Sequence, residues 1–103
     1  MQALMNRIRE IADREDIPVL GTGPAAGMAN EPAGFRPEDR LPGARSLLCF
    51  GIPVPHGVYR PGPYGTETIW RTQSLYYRRL DSFSARFAAL IEEAGHAAIP
   101  VFG

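Results

Sequence analysis

The side chains that could do chemistry are few and sit close together. Tyr76, Tyr77, Arg78 and Arg79 form one run, Trp70 stands shortly before it, and the rest is one cysteine, Cys49, and two histidines, His56 and His96. Two guanidiniums beside two phenols are suited to phosphate or carboxylate capture, because arginine offers a planar fork of donors that matches an oxyanion. The plainer alternative is a solvated Arg78 beside a buried Tyr76. Cys49 lies between Leu48 and Phe50 in an apolar run, where a thiol behaves as a small hydrophobe, so a core position is expected of it. Cys49, His56 and His96 have no ligand spacing and no Cys-x-x-Cys occurs, which argues against a metal site. Residues 21–26, Gly-Thr-Gly-Pro-Ala-Ala, match a dinucleotide-binding G-x-G-x-x-A pattern with Glu38 and Asp39 downstream. That pattern must open a helix, and Pro24, Gly27, Asn30 and Pro32 oppose one, so a flexible loop is the better reading.

The elements that must position these groups follow from periodicity. Leu4, Ile8, Ile11 and Ala12 have helical spacing, which predicts an amphipathic helix over residues 1–16. Pro18 forbids its continuation, and residues 17–20 read as a short strand. Residues 21–40 lack periodicity and predict a surface loop with a helical turn near 37–40. A Leu-Pro-Gly-Ala turn, with glycine at the left-handed position, leads into a second strand over 46–54, and residues 56–65 form a Pro/Gly-rich loop. Thr66 is the expected N-cap of a long helix whose stripe is Ile69, Gln73, Tyr76, Leu80, Phe83, Phe87, Leu90 and Ala94, closed by Gly95 as a left-handed C-cap. Trp70, Tyr77 and Ser84 recur every seven residues on its flank, making the aromatic face wider than one packing seam requires; more intramolecular packing, a homodimer seam, or a cofactor or substrate surface would each account for it. A last apolar run, 97–102, reads as a third strand. The fold class is therefore α/β or α+β: a single small unit, 1–103, ordered helix, strand, strand, long helix, strand, with a right-handed parallel crossover.

Composition narrows the function classes. With 103 residues, 45% hydrophobic, 21% charged and a net charge of zero, the chain reads as one small globular unit and not as a general binder of nucleic acid. One cysteine forms no internal disulfide, no signal-peptide order occurs, and no apolar run reaches the roughly 20 residues of a membrane span, so a cytoplasmic home is expected.

Three segments together, RLPGARSLLCFGIPVP at 40–55, the cluster LYYRRLD and the ending LIEEAGHAAIPVFG, resemble the amino-terminal region of epoxyqueuosine reductase and its iron-sulfur relatives. The resemblance covers about residues 34–103 and is strongest at the Leu-Pro-Gly-Ala turn. It implies an α/β domain that contributes to a cobalamin site and precedes a ferredoxin-like domain with two [4Fe-4S] clusters. It also implies a catalytic aspartate just beyond the last strand, where this chain has Phe102 and Gly103. One cysteine supplies none of the four-thiolate sets a cluster needs.

The expectation is thus the amino-terminal, corrinoid-binding portion of a reductase-like oxidoreductase, inactive by itself. The expected partners are further copies or a carboxy-terminal iron-sulfur domain. By the resemblance, Trp70, Tyr77 and Arg78, with His56 on the preceding loop, are the cobalamin-binding candidates; no catalytic or metal-ligating residue is assigned. The alternative is a non-catalytic binding or assembly module that oligomerises through its long helix.

Overall fold

Apolar residues at helical spacing turn onto one face of α1 (Gln2–Arg14), burying Ile8, Ile11 and Ala12, in a computed structural model that describes residues 2–102. The helix stops where Asp16 takes a left-handed backbone (φ 56°), so that the Asp16 and Ile17 amides donate back to the carbonyls of Asp13 and Ala12 at 3.4 and 2.8 Å. This double closure satisfies end carbonyls and drops Ile17 into the core beside Ala12. Pro18 follows and prevents another turn.

Strand β1 (Val19–Pro24) begins later than the expected 17–20 and runs through the glycines assigned to a loop. The reason is its partner. β2 (Ser46–Gly51) pairs with it antiparallel from Val19↔Gly51 to Pro24↔Ser46, and the ladder is extended by the Ala25 amide donating to the Arg45 carbonyl at 2.9 Å. Alternation along the strands turns Leu20, Leu48 and Phe50 to the core and leaves Cys49 on the other face, opposite Gly21. The buried position expected for Cys49 is thereby corrected: its thiol is exposed.

Between the strands, a 3-10 turn (Ala25–Met28) and the short α2 (Pro37–Arg40) punctuate the connection, α2 falling where the Pro-led turn was expected. The Asp39 carboxylate accepts from the Gly34 amide at 2.8 Å and from the Arg36 amide and guanidinium at 3.3 and 3.1 Å. The Leu-Pro-Gly-Ala turn forms as expected, with Gly43 at φ 82° and the Ala44 amide donating to the Leu41 carbonyl. β2 ends three residues before the predicted limit of 54, in a segment carrying Pro53 and Pro55, and a second 3-10 turn (His56–Tyr59) follows.

The long helix is α3 (Thr66–Glu93), 28 residues. Gly65, not Thr66, is its N-cap, and a Cβ at Gly65 would collide with the Pro61 ring. Phe87 is the centre of the core, edge-on to Phe50 at 5.2 Å and stacked with Phe83 at 6.1 Å, with α1 packed against the same half of the helix. Glu15, just past the end of α1, pairs with Arg86 of α3 at 3.6 Å. Gly95 (φ 97°) closes α3 as expected, its amide and that of His96 returning to the carbonyls of Glu92 and Ile91.

The mixed α/β class is borne out, but the third strand and the parallel crossover are corrected. Among the described residues the sheet has two strands, antiparallel, and 97–102 joins no ladder. The tail is held by α3 instead, the Ala98 amide donating to Glu92 at 3.1 Å and the Ser84 hydroxyl donating to the Val101 carbonyl at 3.4 Å.

The two helix ends differ only in the residue at the left-handed position, which generates a prediction. Asp16→Gly should stabilise the fold by about 0.5–1 kcal/mol, and Gly95→Ala should destabilise it by about 1 kcal/mol. Urea unfolding of both variants checks this; a destabilising Asp16→Gly would show that the Asp16 side chain, not the backbone, closes α1. The Asp39 cap makes a second. The Gly34 amide, foremost, and the Arg36 contacts hold the Asp39 pKa below its ordinary 3.8. The cap is fully present above that value and is lost only as pH falls through the lower folded one. The Gly34 amide shift, followed by NMR, should titrate with a midpoint below 3.8, and a midpoint at or above it rejects the cap.

Candidate functional site

The α3 stripe explains which aromatic groups are left over. Phe83, Phe87, Leu90 and Ile91, in the second half of the helix, are taken by α1 and the strands. Ile69, Gln73, Tyr76 and Leu80, toward the first half, are half-buried, and the 3-10 turn His56–Tyr59 packs against the helix. Along the flank, the tail covers α3 as far as Ser84. Trp70 and Tyr77, farther toward the N-terminus, stay 66% and 52% exposed, and Leu75 is 52% exposed.

Two hollows result. A cleft of about 130 Å³ lies between α3 and the segment leaving β2, lined by Ile52, Val54 and Tyr59 on one side and by Gln73, Tyr76 and Tyr77 among others on the helix. A broader, shallower groove of about 440 Å³ runs on α3 itself, along Trp70, Arg71, Ser74, Leu75 and Arg78. Helical spacing places Trp70, Ser74 and Arg78 in line, four residues apart.

The four residues singled out from the sequence are therefore divided. Trp70 and Arg78 share the groove, Tyr77 lines the neighbouring cleft, and His56 is exposed on its 3-10 turn and lines neither. The two arginines of the cluster diverge as well. Arg78 Nε donates to the Ser74 carbonyl at 3.3 Å, while the Arg79 guanidinium lies over the Tyr76 ring at 5.9 Å. Tyr76 is half-buried, close to the plainer expectation, and Arg78 is solvated.

Sequence reasoning missed Leu75, Arg71 and Tyr59. A seven-residue repeat draws one line of residues along a helix, and the groove spans a wider sector that the i, i+4, i+5 set Trp70, Ser74, Leu75 would have marked. The glycines of the G-x-G-x-x-A match lie inside β1, followed by a four-residue 3-10 turn, which offers no helix N-terminus to a pyrophosphate.

Among the described residues no group of three or more His, Cys, Asp or Glu is placed to hold a metal ion, and no helix is long and apolar enough to cross a membrane. The arrangement can bind: it offers an indole, a leucine and two guanidiniums on one open helix face. No family model, no curated protein and no solved structure matches the chain.

Proposed function

We propose that this chain is a non-catalytic binding and assembly module whose working surface is the open flank of α3; the rival reading, by resemblance, is the amino-terminal, corrinoid-binding portion of a cytoplasmic epoxyqueuosine reductase-like iron-sulfur oxidoreductase. The observation that carries the assembly reading is an excess of surface. The chain exposes 7607 Å², whereas a folded monomer of its mass exposes about 5,700 Å². Its radius of gyration is 16.0 Å, against about 13 Å for a closed unit of this length. The difference in area, about 1,900 Å², is larger than the ~800 Å² that each partner buries in a standard protein interface. Trp70, Leu75 and Tyr77 are the large side chains on α3 that a partner would cover. The residue set does not fit an iron-sulfur cluster: one thiolate leaves such a group to another domain.

The same flank has a second reading, favoured by the groove that Trp70 and Arg78 share. Their types fit one wall of a corrinoid site. The indole and Leu75 would cover the ring, Arg78 would pair with the phosphate of the nucleotide tail, Tyr77 would stand at the shoulder, and His56 would approach from the loop. Cobalamin, when bound, supplies the one-electron chemistry of its cobalt; these residues bind and orient it.

Sedimentation velocity separates a module that assembles from one that does not. The chain is expected to sediment above 11.3 kDa, and Trp70→Ala with Tyr77→Ala should return it toward the monomer; unchanged mass and unchanged melting temperature would make the flank ordinary surface. Anaerobic titration with cob(II)alamin tests the second reading. Half a site binds at roughly micromolar or weaker affinity, so contacts from a second domain are worth about 1.4 kcal/mol for each tenfold. No change in the cobalamin spectrum up to near-millimolar protein removes it.

A further inference from the structure

We infer that α3 pairs with α3 of a second copy of this chain, antiparallel, about a two-fold axis that lies between the two helices, level with their midpoints. This rests on the assembly reading above and names its partner.

The open face of α3 is asymmetric in a self-complementary way. Its first half carries Trp70 and Leu75; its second half carries Ser82, Ala85 and Ala89, all exposed. At 100° per residue these five fall within a sector of about 140°. Trp70 and Ala89 stand at equal distances from the midpoint, about 14 Å on either side, and Leu75 and Ala85 stand about 7 and 8 Å from it. A two-fold rotation there brings each large side chain over a small one of the second copy. Such contacts let two helix axes approach to about 8–10 Å.

Charge points the same way. The first half of α3 holds Arg71, Arg78 and Arg79 against Glu67, and the second half holds Asp81, Glu92 and Glu93 against Arg86. Apart from Glu67 in the first turn, this order runs against the helix dipole, which favours acids at the start and bases at the end; the last turn has no base. Arg71 is paired with Glu67 at 3.0 Å and Arg86 with Glu15 at 3.6 Å, and the formal charge that remains is positive on the first half of α3 and negative on the second. Antiparallel pairing lays each half along its opposite, whereas parallel pairing stacks like on like. The excess surface of about 1,900 Å² leaves room for this interface, and a net charge of zero offers no general repulsion between copies.

Cysteine cross-linking tests the geometry. On a Cys49→Ser background, Leu75→Cys combined with Ala85→Cys should give a covalent dimer on mild oxidation, because the two positions come level across the axis. Neither single variant should, since each would sit about 14 to 17 Å from its own copy along the helix, beyond the ~7 Å reach of a disulfide. Sedimentation equilibrium should report a mass of two chains, weakening with salt, and Trp70→Ala should raise the dimer dissociation constant about 30-fold. Dimers that cross-link through a single variant would overturn the antiparallel pairing and leave the assembly reading standing. A monomer at every concentration up to near-millimolar would overturn both, and a monomer that binds cob(II)alamin through Trp70 would place the corrin on this face instead.

Discussion

The structure depends on a mismatch between one helix and one small core. α3 has 28 residues, about 42 Å at 1.5 Å per residue, while the buried cluster is Ile8, Ile11, Ala12, Ile17 and Phe87 with its half-buried neighbours. α1 is 13 residues long and reaches only the second half of α3. Phe87 can therefore be enclosed by Phe50, Phe83 and α1, but the same helix runs on past α1, where the segment leaving β2 and the His56–Tyr59 turn cover its apolar stripe only in part. Trp70 stays exposed because it lies on the flank of that stripe, farther along α3 than the tail held at Ser84.

The connections reinforce the mismatch. Asp16 and Gly95 both take left-handed backbones and fold the chain back immediately after a helix. At α1 the reversal delivers Ile17 to the core and sets the start of β1. At α3 it delivers the tail to the helix's own flank, where Ser84 and Glu92 hold it. The strands gain nothing from this second reversal. They stay a two-stranded ribbon whose outer face is largely glycine and Cys49, and such ribbons are marginal without a helix beneath them.

Elements governed by local grammar were legible in the sequence. The 3.6-residue periodicity of Ile69 to Leu90, the left-handed Gly95 and the Pro42-Gly43 turn each depend on a few neighbouring residues, and each appears where expected. What was not legible depends on pairing across distance. Gly21 and Gly23 look like loop residues until β2 is known to lie beside them, and Cys49 looks buried until the register decides which face it points from. The run at 97–102 has strand composition, but a strand needs an edge to join, and the reversal at Gly95 turns it onto α3. The candidate site divides along the same line: Trp70 and Arg78 share a groove because helical spacing alone places them there, whereas uniting them with His56 required the tertiary path of a loop rich in proline and glycine.

That division also bears on what the site can do. Catalysis by side chains needs groups that converge within hydrogen-bond reach on one reacting atom. Here Arg78 turns back to its own helix, Arg79 covers Tyr76, and His56 stands outside both hollows. Recognition has a looser requirement, since a broad apolar surface with charges at its margins gains from every contact it buries without any single atom being placed for reaction. Spacing along one rigid helix sets residues in line along a surface, which is the looser of the two arrangements. What α3 presents here is an indole and a leucine beside two guanidiniums, held at fixed spacing by one rigid helix.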